Sequence, residues 1–173
     1  GSLNVWTGDP VGNFASLQAG PAVHGGGGNI SFRRDVFARH GGFDEQLTVG
    51  AALYEELEFC LRLKSHGETG WFAPEAGLFH LAAPTGGCRV LRDWPRYMHG
   101  LAHNRAMIIF RYLKFRAWPT AMFRLGWLAL AYSREGRTPW PVVTAMSGLA
   151  TGIRSARRGP VVSQLPYVNC NRF

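Results

Sequence analysis

The stretch Leu53–Gly67 reads LYEELEFCLRLKSHG and places Glu55, Glu56 and Glu58 within four positions, in a chain with 11 acidic residues in all. Carboxylates gathered this tightly have two uses. In the first turn of a helix they answer the positive end of the macrodipole, by about 0.3–1 kcal/mol each. Held at the mouth of a pocket, one of them can serve as a general base. Glu58 stands four residues before Arg62, the favourable orientation for a helical ion pair, and reads as structural. Glu55 and Glu56 stay open to either use.

Other reactive side chains are scattered. The GGGG run at 25–28 suggests a phosphate loop, but no GK[ST] follows, and Ser31 breaks the GxGxxG spacing from Gly26 and Gly28. Cys60, Cys88 and Cys170 are odd in number and form no CxxC pair, which argues against a zinc knuckle or a disulfide framework. Reduced thiols in a cytosolic setting are expected.

These groups sit in 173 residues, enough for one domain with a real core, and 46% hydrophobic against 17% charged residues is a globular balance. The net charge of +8 is carried almost wholly by arginine and favours phosphate-bearing partners without choosing among them. Residue 1 is Gly, and no charged segment precedes an apolar run, so no signal peptide is visible. The start reads as a processed end, a cloning remnant or a truncation.

Loop composition fills residues 1–28. NISFRR (29–34) has strand-forming residues and runs into a short helix, with Asp35 as N-cap and Gly41 as its stop. A second helix is expected from Leu53 to His66, with Leu57 and Leu61 on its apolar face and Gly67 ending it. WFAPEAGLFHLA holds two short strand-like pieces around a turn. Helices are expected from Trp94, over 119–132 and over 141–153. Each apolar run falls short of the roughly 18–20 residues a bilayer crossing needs, and Arg124 interrupts one of them.

The order of these pieces is more informative than any one. GGNISFRR, GGFDEQL, YEELEFCLRLKSHG and WFAPEAGLFH occur in succession between Gly27 and His80. This succession resembles the second half of the catalytic domain of family 2 glycosyltransferases, GT-A enzymes that use nucleotide-sugars. The likeness is strong over about fifty residues and looser through the basic helices to about 158. It implies an α/β fold: the acceptor-side half of a Rossmann-like GT-A domain over residues 1–92, then a basic helical tail over 93–173.

The resemblance also implies roles. Glu56 becomes the base that deprotonates an acceptor hydroxyl, with Glu55 beside it. His80 completes a site for a divalent metal, Mn2+ or Mg2+. The PTGGCR loop closes over the donor's diphosphate, its Gly86 and Gly87 letting the backbone move and Arg89 pairing with phosphate oxygens. Gly28, Asn29 and Asp44 border the acceptor, where Trp6, Trp71 or Trp94 could stack on a sugar ring.

Two departures stand out. The family's acidic pair is Glu-Asp where this chain has Glu55-Glu56, and a misplacement near 1 Å can cost on the order of 100-fold in rate. The family's Asp-x-Asp, which holds metal and diphosphate, has no counterpart among Asp9, Asp35, Asp44 and Asp93. The chain thus reads as lacking its donor half and as inactive alone. Its expected partners are a nucleotide-sugar, a carbohydrate or lipid-linked acceptor and an anionic membrane surface, with no nucleic acid. It is expected in the cytoplasm, peripheral to the inner face of a membrane. A non-catalytic, basic membrane-peripheral module is the competing reading.

Overall fold

The computed structural model describes residues 1–12, 14–48, 53–79 and 93–163. Helix dominates them: α1 (Arg34–His40), α2 (Glu55–Ser65), α3 (Trp94–Tyr112), α4 (Trp118–Glu135) and α5 (Trp140–Arg158). Two small antiparallel sheets pair β1 (Ser2–Leu3) with β2 (Pro10–Val11), and β3 (Gly20–Ala22) with β4 (Gly70–Phe72). The expected Rossmann-like layering is corrected to this extent: no parallel sheet occurs among the described residues.

Local expectations fare unevenly. NISFRR is not a strand. Ile30 and Phe32 turn into a cleft, and Asn29 donates its side-chain amide to Ala76 O at 2.5 Å. Strand propensity describes fit to a pleated neighbour, and none lies alongside among the described residues. Asp35 does not cap α1, which begins at Arg34 with Arg33 as an uncapped N-cap. The Asp35 carboxylate instead binds Arg33 and Arg39, whose charged donors outcompete a backbone N–H. α2 starts at Glu55 rather than Leu53 because Tyr54 adopts φ +73°. Its other end behaves as expected, with Gly67 at φ +84°.

α3, α4 and α5 each open on Trp-Pro. A proline in the first turn loses no hydrogen bond and has its φ preset for helix. Asp93 also caps α3, accepting from Arg96 N at 3.0 Å. α5 lies close along α3, and two glycines one helical turn apart permit this. A Cβ at Gly148 would collide with His99 O, and one at Gly152 with His103 O.

The core runs through all these pieces. Leu57 and Leu61 of α2 pack on Ile108 and Ile109 of α3 and on Leu113, which ends that helix. Met98, Leu101 and Ala102 pack on Leu125 and Ala129 of α4 and Ala145 of α5. Segments on both sides of the expected division at residue 92 therefore share apolar burial, so α3 is positioned to shape whatever α2 presents.

Candidate active site

A cleft of about 550 Å3 opens where the 25–32 loop, α1, the turn after it and the start of α2 meet. Ile30, Phe32, Phe37, Phe43 and Leu47 give it an apolar lining, and Asp44, Glu45, Glu55 and Glu56 are its acidic lining residues. The aromatic lining is itself well braced. Phe59 of α2 is fully buried, stacks on Phe37 at 5.2 Å and meets Phe32 edge-on at 4.9 Å.

Glu55 and Glu56, adjacent in sequence, both reach this cleft. No cation or hydrogen-bond donor among the described residues holds the half-buried Glu56 carboxylate. Gly27 lies against it so closely that a Cβ there would collide with Glu56 Oε1. Glu55 is also half-buried, and its Oε2 is enclosed without a partner. Burial pushes the Glu55 carboxyl above the usual glutamate range, its own backbone N–H opposes this, and the neighbouring Glu56 charge adds to the rise. A carboxylate whose proton affinity is raised is a better proton acceptor than a freely solvated one. The Gly27 contact gives a direct test. Gly27→Ala is expected to fold normally, because the colliding atom ends a flexible side chain, yet to displace Glu56 and lower turnover by on the order of 100-fold. Melting temperature and kcat, measured together, check this.

Tyr54 precedes the pair in a left-handed conformation that costs a bulky residue on the order of 1–3 kcal/mol. The neighbours that hold it there come from α3. Arg105, 1% exposed, lies beside the Tyr54 phenol, donates to Thr7 O at 2.8 Å and pairs with Asp9 Oδ1 at 2.6 Å. Burial works against ionisation of Asp9, but Thr7, Arg105 and Arg124 together hold its carboxyl below the usual range. Asn104, wholly buried, donates to Leu47 O at 3.0 Å and Leu53 O at 2.8 Å. One side chain thus grips the backbone at two points on the N-terminal side of the glutamates. Asn104→Ala leaves two carbonyls without donors and is expected to cost about 1–3 kcal/mol, read as a lowered denaturation midpoint.

The sequence assigned no role to Asn104 and Arg105. The signal was present: an Asn-Arg pair inside the run GLAHNRAMIIF is polar matter in a buried stripe, and buried polar groups require partners.

Asp44 lines the cleft with its carboxylate turned inward. It accepts from Arg111 Nη1 at 2.6 Å, Gln46 N at 3.0 Å and Val161 N at 3.2 Å. Arg111 also lies 3.6 Å from Glu58 and donates to Ser155 O. Glu58, 0% exposed, pairs with Arg62 at 3.3 Å and accepts from the Tyr112 hydroxyl at 2.6 Å. Burial, with the Glu58 charge beside it, pushes the Tyr112 phenol far up, so it remains a donor. The expected Glu58–Arg62 pair is present, but inside the protein and as part of a larger network.

The remaining candidates are dispersed. Gly28 is exposed beside Asn29, at the turn whose Asn29 amide reaches Ala76. Trp6 and Trp71 are exposed away from the cleft lining, and Trp94 packs on Tyr132 at 5.2 Å. His80, Gly86, Gly87 and Arg89 lie outside the described residues, as do Cys88 and Cys170. Cys60 is buried, and burial pushes its thiol up. Among the described residues no three His, Cys, Asp or Glu side chains are grouped to hold a metal ion, so these residues by themselves do not form such a site.

The cleft's paired glutamates, the turn built on GGFDEQL and the α2 helix are the elements through which the sequence resembled a sugar-transfer enzyme. The chain belongs to glycosyl transferase family group 2, whose family model matches residues 9–153. No curated protein and no solved structure matches the chain. The matched span takes in the cleft and α3, α4 and most of α5, so the helices that hold the glutamates are part of the family's sequence pattern.

Proposed function

We propose that the chain is the acceptor-side part of an inverting glycosyltransferase, with a partial GT-A architecture. It moves a sugar from a nucleotide-sugar to a carbohydrate or lipid-linked acceptor at the inner face of a membrane. The observation that carries this is the unpaired Glu56 carboxylate beside Gly27 in an aromatic-lined cleft. Glu56 takes the proton from the acceptor hydroxyl as the oxygen attacks the anomeric carbon, and the sugar–phosphate bond breaks on the opposite side. Glu55 shares the cleft, and its own carboxyl is the one whose proton affinity burial raises. The Phe-lined wall offers rings on which the apolar face of a sugar can lie.

A divalent ion would supply charge neutralisation at the departing diphosphate. His80 is the ligand this chain would give it, and Gly86, Gly87 and Arg89 the groups for the phosphates. His80→Ala is expected to raise the manganese concentration needed for half-maximal activity; an unchanged metal requirement rejects the role. The function itself is tested by acceptor-dependent release of nucleoside diphosphate from a panel of nucleotide-sugars. The assay uses the enzyme in which this chain is joined to an Asp-x-Asp half. Release from none of the donors would reject the proposal in favour of a binding module without catalysis.

A further inference from the structure

α4 and α5 each present an outward face that takes no part in lining the cleft. On α4 the one charged side chain reaching solvent from Pro119 to Ala131 is Arg124, 41% exposed and tied to Asp9 at 3.2 Å, and Phe123, Trp127 and Leu130 form a stripe at i, i+4, i+7. The opposite face, Ala121, Leu125 and Ala129, is buried in the core. α4 is therefore apolar on both sides, although one side meets solvent. On α5, Trp140, Val143 and Met146 are each at least half exposed, and helical spacing carries the same face on to Arg154, Arg157 and Arg158.

Charge tells what such a surface would meet. Between Trp94 and Arg158 the sequence has eleven arginines and lysines against a single acid, Glu135. Arg134, Arg137, Arg154, Arg157 and Arg158 are exposed, and no carboxylate among the described residues pairs with them. A second copy of the chain would bring two strongly positive faces together. A nucleic acid would satisfy the arginines and leave Leu130, Val143 and Met146 in water. An anionic bilayer interface satisfies both halves, with apolar side chains at the acyl boundary and guanidinium groups among the headgroups. No described helix is long and apolar enough to cross a membrane, so the contact lies along the surface.

We infer that the outward faces of α4 and α5 dock the protein on an anionic lipid bilayer, with Phe123, Trp127, Trp140 and Met146 inserted and Arg154, Arg157 and Arg158 on the headgroups. This does not depend on the transfer reaction. It is tested on the 173-residue chain by co-sedimentation with vesicles of phosphatidylcholine alone or with one-third phosphatidylglycerol. The double variant Phe123→Glu/Trp127→Glu and the triple variant Arg154→Gln/Arg157→Gln/Arg158→Gln change only exposed side chains, and circular dichroism verifies that both remain folded.

The expected result is binding to the anionic vesicles that falls steeply with salt. The triple variant should lose about 100-fold in partitioning, at roughly fivefold per arginine near such a surface. The double variant should also bind weakly. Equal binding to both vesicle types, or full binding by either variant, overturns the inference. So does a lack of vesicle binding together with a concentration-dependent dimer that Phe123→Glu/Trp127→Glu dissociates, which would make the face a contact between copies.

Discussion

Glu56→Gln, introduced into the proposed enzyme that joins this chain to a donor half, is expected to lower kcat by 10²–10⁴-fold, the range for removal of a general base. The substitution keeps the side chain's shape and removes only its ability to take a proton. Because Glu56 has no cation or donor on it among the described residues, no buried partner is stranded and the melting temperature should stay within about 1 °C, as for other changes that disturb no such feature. Donor affinity, measured by titration with a non-transferable nucleotide-sugar analogue, should also be nearly unchanged, since the proposed role of the carboxylate is toward the acceptor. This split separates a base from a structural glutamate. Wild-type turnover would remove Glu56 from the mechanism and leave Glu55, with its raised proton affinity, as the group to substitute next.

Arg111→Met should do the reverse, damaging the fold through residues that never touch a substrate. Arg111 is the cation between two enclosed carboxylates, 2.6 Å from Asp44 and 3.6 Å from Glu58, both with side chains 0% exposed. Removing one partner from a buried ionic cluster costs about 3–5 kcal/mol, because the charges left behind are neither paired nor hydrated. That is a large part of the 5–15 kcal/mol typical of a domain. The measurement is the urea midpoint, with the m-value showing whether the transition stays cooperative. Adding Asp44→Asn to Arg111→Met should recover part of the loss, since it removes one stranded charge. No recovery would show that the arginine acts mainly through its bonds to Ser155 and Ala156 of α5.

The helices were legible and the strands only in part, for physical reasons: β4 and the turn at Pro74–Ala76 fall where WFAPEAG suggested them. Apolar periodicity and a Trp-Pro at each start are local signals, so α3, α4 and α5 could be placed within one or two residues of where they begin. NISFRR carried strand propensity, but a strand exists only beside a partner, which no local pattern supplies. The glutamates' setting was legible through the order of motifs around them. What holds them there was not, because Asn104 and Arg105 act on residues some fifty to a hundred positions away. Asp44 shows both sides of this. GGFDEQL suggested a turn residue, and Asp44 does brace the turn by accepting from Gln46 N, but its hold on Arg111 and Val161 far along the chain had no local signal.

That last contact bears on how the chain reaches its native state. Asp44 and Val161 are 117 positions apart in sequence, and an isolated bridge joins Asp44 to Val162. Helical proteins fold fast when their contacts are local, and contacts that close long loops come late because their entropy must be lost first. Here the latch that fixes one wall of the cleft forms only after α5 has been made and laid along α3. On a ribosome synthesising the chain from its N-terminus, the cleft would stay unfinished until residues beyond 160 had emerged. A refolding experiment should accordingly regain helical ellipticity before it regains any ligand site.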